Sequence, residues 1–126
     1  MKSRRGFTLI ELLIVVVIIG LLATIAIPKF TNTKDKAYVG QMKSDLRNLA
    51  TAEEAFYYDS AKYTVDKTRL NNYSSSVGID VIINEATPQG WSATASSPNT
   101  VRTCSLFSGQ AAAPFPATIE GRITCQ

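Results

Sequence analysis

The sequence has no histidine. That excludes a Ser-His-Asp triad, a Cys-His nucleophile pair and any imidazole-ligated metal site. It also lacks a glycine-rich phosphate loop, so nothing in it couples a nucleotide to work. No carboxylates stand paired at the spacing of an acid/base motif, and Asp80, Glu85 and Glu120 are too scattered for a calcium cage. No enzyme and no cofactor are therefore expected. Internal repeats are absent, and 126 residues suffice for one domain of ordinary size. The net charge of +3 is misleading. Lys2, Arg4 and Arg5 supply all of the excess; from residue 7 onward ten basic side chains meet ten acidic ones. The body thus lacks the basic patch that direct nucleic-acid binding needs. Cysteine is scarce as well. Cys104 and Cys125 fall short of the four ligands of a structural zinc site. A disulfide between them is the expected state, in an oxidising compartment, and two free buried thiols are the alternative.

What the chain does have is a basic hexapeptide followed by a long apolar run. Phe7 to Ile27 contains one charge, Glu11. The run is too long for a secretory signal peptide, whose apolar region spans about 7–15 residues. It has the length of a membrane anchor, about 20 residues. A plain anchor would gain nothing from Glu11, since an intramembrane carboxylate costs about 2.5–3.5 kcal/mol. Leu9 to Ile27 is rich in β-branched residues, which in water favour strand. In lipid the backbone must satisfy itself, and a helix is the single-segment solution. Gly20 and Pro28 punctuate it, and Pro28 removes the hydrogen bond to the Thr24 carbonyl, so a kink is expected there.

The segment Lys2-Ser3-Arg4-Arg5-Gly6-Phe7-Thr8-Leu9-Ile10-Glu11 resembles the processing site of type IV prepilins and the related type II secretion pseudopilins. The resemblance implies cleavage of a leader, residues 1–6, between Gly6 and Phe7, and N-methylation of Phe7. It implies a prepilin peptidase/methyltransferase and an inner-membrane assembly platform as partners, with membrane lipid around the chain before assembly. It further implies a homo-oligomeric helical filament in which the helix unwinds between Gly20 and Pro28. Glu11 would lie one helical turn from the new amine of its own chain. A neighbour's amine could pair with it during docking, since a charge in hydrocarbon is tolerable only when paired. A Glu at a helix N-terminus with no partner is the plainer alternative. The positive-inside count is ambiguous, because Lys29, Lys34, Lys36 and Lys43 follow the span. The resemblance and the expected disulfide put the leader in the cytoplasm and the C-terminus outside.

Beyond residue 28 the pattern is that of an amphipathic helix over 29–61. Val39, Met42, Leu46, Leu49, Glu53 and Phe56 recur at spacings of three and four. Glu53 breaks the stripe, and Ala52 is expected to take its place. From Phe7 to about Ala61 the helix would measure about 80 Å, too long for a domain of this size. Charges are graded along it: Lys29, Lys34, Lys36, Lys43 and Arg47 against Asp35 and Asp45, then Glu53, Glu54 and Asp59 with no base. Staggered copies could match these halves; a solvated face is the alternative. Glu53 and Glu54 are the acids whose reversal is expected to impair assembly.

Residues 62–76 are polar and form a connecting loop. Residues 77–126 hold four candidate strands, Val77 to Ile83, Trp91 to Ala95, Val101 to Phe107 and Ile119 to Thr124, separated by turn residues. Trp91 is expected to anchor the core. The fold class is α+β: a long N-terminal helix, its apolar half (7–28) protruding and its amphipathic half packed on a small antiparallel sheet within a soluble head (29–126). Three functions remain at this point: a type IV pilus subunit, extracellular after assembly; a pseudopilin forming a periplasmic piston; and a tethered domain that never polymerises. The helix aromatics, Phe7, Phe30, Tyr38, Phe56, Tyr57 and Tyr58, have the density of ordinary packing rather than of an electron path.

Overall fold

The computed structural model describes residues 6–126, so most of the expected leader lies outside the described residues. Helix α1 spans Leu9–Ser60. Strands β1 (Asp80–Thr87), β2 (Gly90–Ser96), β3 (Cys104–Gly109) and β4 (Thr124–Cys125) follow. They form one antiparallel sheet in the order β1-β2-β3-β4. The fold is α+β. The chain divides into two compact units, residues 1–34 and 35–126, with the boundary inside α1.

In the second unit α1 buries Met42, Leu46 and Leu49 completely, with Val39 and Phe56 partly covered. Against them lie Val81 and Ile83 of β1, Trp91, Ala93 and Ala95 of β2, and Cys104 and Leu106 of β3. The period of three to four on the helix meets the period of two on the strands, so each element turns one apolar side inward. Trp91 is 1% exposed and anchors this core.

The helix stripe differs from expectation at its fifth position. Glu53, not Ala52, is fully buried, while Ala52 stays partly exposed. A dry carboxylate is costly unless it is hydrogen-bonded. The Thr64 amide supplies the bond, donating to Glu53 Oε2 at 3.1 Å. Asp45 is buried too, and accepts from the Ser76 amide and hydroxyl, both at 2.8 Å. The loop leaves the helix end, meets Glu53 through Thr64, and rejoins α1 eight positions earlier through Ser76. Between these points a single 3-10 turn, Lys67–Arg69, is capped by Asp66, which accepts from the Thr68 amide. The graded-charge expectation is corrected accordingly. Asp45 and Glu53 are core groups, and reversing Glu53 would break the fold rather than test assembly.

Three strands begin later than their sequence patterns. Val77 is 99% exposed, and β1 begins only at Asp80. The Ser76 amide is already engaged by Asp45, Ile79 closes a turn onto the Ser76 carbonyl, and Gly78 takes a positive φ of 81°. These bonds preempt the ladder. Val101 is 94% exposed, because residues 97–100 close a turn and β3 starts at Cys104. Ile119 to Arg122 also turns, leaving β4 two residues. Cys104 and Cys125 pair across β3 and β4 and are joined by a disulfide. Closing a loop of this length stabilises the fold by roughly 3 kcal/mol. Ser105 ties down the connection before β4: its hydroxyl donates to the Pro114 carbonyl and accepts from the Ala117 amide.

Two predictions follow from the packing. Burial pushes the Glu53 carboxyl up to about 7, only partly offset by the Thr64 hydrogen bond, with the Glu54 charge adding to the rise. The folded chain therefore holds a proton that the unfolded chain has lost above about pH 4.5. Stability is fullest below that value and declines as pH rises through 7. Thermal melts from pH 6 to 8 should show the fall, and Glu53→Gln should flatten it; an unchanged slope in the variant contradicts this account. The second concerns Gly109, which faces Gly90 across β2 and β3 and has a φ of 67°. A Cβ there would collide with the Gln89 carbonyl oxygen. Gly109→Ala should cost more than about 1 kcal/mol, read as a lowered Tm, whereas Gly121→Ala should cost less: its φ of 71° carries the same backbone strain, but a Cβ there meets nothing within 4 Å.

Candidate processing and assembly segment

Residues 6–8 are non-helical and exposed, and α1 begins at Leu9. The Gly6–Phe7 peptide bond therefore lies on open backbone ahead of the helix. A Cβ at Gly6 would meet nothing within 4 Å, so the fold itself does not demand glycine there. Phe7 is 77% exposed.

Thr8 occupies the N-cap position and Glu11 the third helical position. Glu11 Oε2 accepts from the Thr8 amide at 2.8 Å and from the Thr8 hydroxyl at 2.7 Å. In return the Glu11 amide donates to Thr8 Oγ1 at 3.3 Å. This reciprocal arrangement is a capping box, which satisfies helix N–H groups that have no partner inside the helix. Within its own chain Glu11 thus has Thr8 as its hydrogen-bond partner. One carboxylate oxygen is engaged by its own chain, and Oε1 has no partner among the described residues. The Thr-x-x-Glu spacing was legible in the sequence, and Thr8 is the residue that a reading centred on Glu11 passes over.

From Leu9 to Ile27 every residue but Ala23 is exposed, including all the Leu, Ile and Val side chains. Among the described residues, α1 is the one helix long and apolar enough to cross a membrane. It runs without interruption through Gly20 and Pro28, so the single chain shows no unwinding there. The missing proline N–H leaves the adjoining turns intact. Thr24 and Thr33 direct their hydroxyls back to the Leu21 and Lys29 carbonyls, at 2.7 and 3.0 Å. Ile27 and Phe30 with Lys34 line a shallow apolar hollow on the same stretch.

The arrangement presents an accessible peptide bond, an apolar helix surface and one carboxylate oxygen open to an outside donor.

Comparison with known proteins bears on the same residues. Residues 1–27 match the family described as the prokaryotic N-terminal methylation motif. The chain is 47% identical over 60 residues to the type IV major pilin protein PilA of Myxococcus xanthus, covering 48% of this chain and 27% of that one. It is 48% identical over 63 residues to the type IV major fimbrial protein FimA of Dichelobacter nodosus, covering 49% and 39%. It is 30% identical over 94 residues to the type II secretion system core protein G of Pseudomonas aeruginosa, covering 71% and 60%. The chain thus spans between about a quarter and three fifths of the length of these relatives.

The capping box carries its own prediction. Thr8→Ala should fray the first turn by about 1 kcal/mol, seen in detergent micelles as severalfold faster amide exchange at Leu12 and Leu13. Thr8→Ser should restore protection, and equal exchange in all three chains would show that the cap contributes nothing.

Proposed function

On the premise that this chain is a member of the type IV pilin and type II secretion pseudopilin family, we propose that it is a structural subunit of a type IV pilus. The observation that carries the proposal is the exposed apolar face of α1 with Glu11 set in it. The precursor spans the inner membrane with its leader inside and its disulfide-bonded head outside. A prepilin peptidase removes residues 1–6 and methylates the new amine of Phe7. An assembly platform in the membrane then lifts the chain into a filament whose core is the bundled apolar helices.

Glu11 gives this transfer a direction. Alone in hydrocarbon, its charge is expensive. Thr8 occupies Oε2, and the methylated amine of a neighbouring copy reaches the open Oε1. Pairing two opposite charges away from water favours the docked register over a slipped one. The apolar face meanwhile exchanges lipid for identical helices. That exchange has little hydrophobic driving force, so packing and the paired charge decide it.

A second reading has its own support. The match to core protein G covers more of this chain than the matches to the pilins do. On that reading the same processing yields a periplasmic pseudopilus of a type II secretion machine. The disulfide between Cys104 and Cys125 supports the pilus reading.

Mass spectrometry of filaments sheared from the native cells tests this. A dominant species beginning at N-methylated Phe7 with both cysteines oxidised is the expected result. Processed chain confined to the envelope favours the pseudopilin, and a mature protein retaining Met1 overturns both readings.

A further inference from the structure

Removing Asp45 and Glu53 to the core leaves the outer surface of the head more cationic than the sequence suggests. Between residues 35 and 47 the exposed cations Lys36 and Arg47 and the half-exposed Lys43 face one half-exposed acid, Asp35. Beyond residue 48 the only charged side chains the helix exposes are Glu54 and Asp59.

The cations are not dispersed. Lys43 and Arg47 on α1 and Arg122 before β4 rim one groove of about 570 Å³, with Leu106 and Ile123 among its apolar lining. No acid lines it, and none of the three cations forms an ion pair among the described residues. A cation trio around an apolar floor fits a partner that brings carboxylate and hydrocarbon together.

We propose that this groove is a docking surface for a second copy of the chain, and that it receives the helix-end face carrying Asp59. The proposal rests on the filament reading above and names one head-to-head contact within it. Helix geometry selects the acid. At about 100° per residue, Glu54 lies on nearly the same side of α1 as Arg47, whereas Asp59 lies about 120° round from it. A contact that repeats to build a filament joins two different faces of the same chain. Glu54 is also engaged already, by the Tyr63 hydroxyl at 3.0 Å. Asp59 is exposed, accepts no hydrogen bond among the described residues and belongs to a stretch without a base.

Zero-length carbodiimide cross-linking of membranes and sheared filaments tests the contact. Lys43 and Asp59 sit sixteen positions apart on one helix, about 24 Å, so a direct amide between them must join two chains. The expected result is a Lys43–Asp59 cross-linked peptide in the assembled fraction, absent from detergent-dispersed chain. Its absence from assemblies overturns the proposal. Charge reversal gives an independent check. Arg47→Glu with Arg122→Glu should lower filament yield at least tenfold while leaving leader removal and the disulfide intact, and adding Asp59→Lys should restore it. Parental yield from the double variant, or no rescue by Asp59→Lys, also overturns it. Failure of the filament reading is seen separately, as the absence of processed parental chain from the sheared fraction.

Discussion

A helix that turns leucine, isoleucine and valine outward on every side cannot rest in water. The segment Leu9–Ile27 is such a helix, and this constraint organises everything known about the chain. Two environments satisfy it, a bilayer and a bundle of identical helices. A subunit that passes from one to the other needs its apolar face in both. The single carboxylate in the segment distinguishes the two states, because lipid cannot answer a charge and a neighbouring chain can. Thr8 answers half of it within the chain, and under the proposed assembly the remaining oxygen is where a partner would act.

The head obeys the same physics with the signs of burial reversed. There the carboxylates go inside and must find donors. Asp45 and Glu53 lie on the packed face of α1 and take backbone amides from the two ends of the connecting loop. The loop is thereby laid back along the helix, and β1 starts where its second anchor ends. Tyr63 strengthens the first anchor: it stacks on Tyr57 at 4.7 Å between ring centroids and donates to Glu54. Adjacent glutamates on the helix thus hold adjacent loop residues. With the acids withdrawn, Lys43, Arg47 and Arg122 line one groove on the β4 side with no acid in its lining.

Much of this was legible before any coordinates. Hydrophobic periodicity located the amphipathic helix and four strands in their order, because burial repeats with the geometry of each element. The alternation around Trp91 marked β2 within a residue at each end. Misjudgements gathered where side chains bonded to backbone. Val77, Val101 and Ile119 carry strand-like residues into or beside turns, since turns closed onto the carbonyls of Ser76, Ser97 and Ile119 took backbone groups that a ladder needs. Glu53 was passed over for Ala52 because polarity predicts exposure only when no donor waits inside.

The sequence by itself determined the character of the N-terminal segment, since length, apolarity and the order Gly6-Phe7-Glu11 are local properties of contiguous residues. It determined the α+β class for the same reason. Only the tertiary structure decided which acids are core groups and which are surface groups. It alone brought Arg122 beside Lys43 and Arg47, residues far apart along the chain. Those outcomes depend on donors and neighbours delivered by folding, and no spacing along a single segment encodes them.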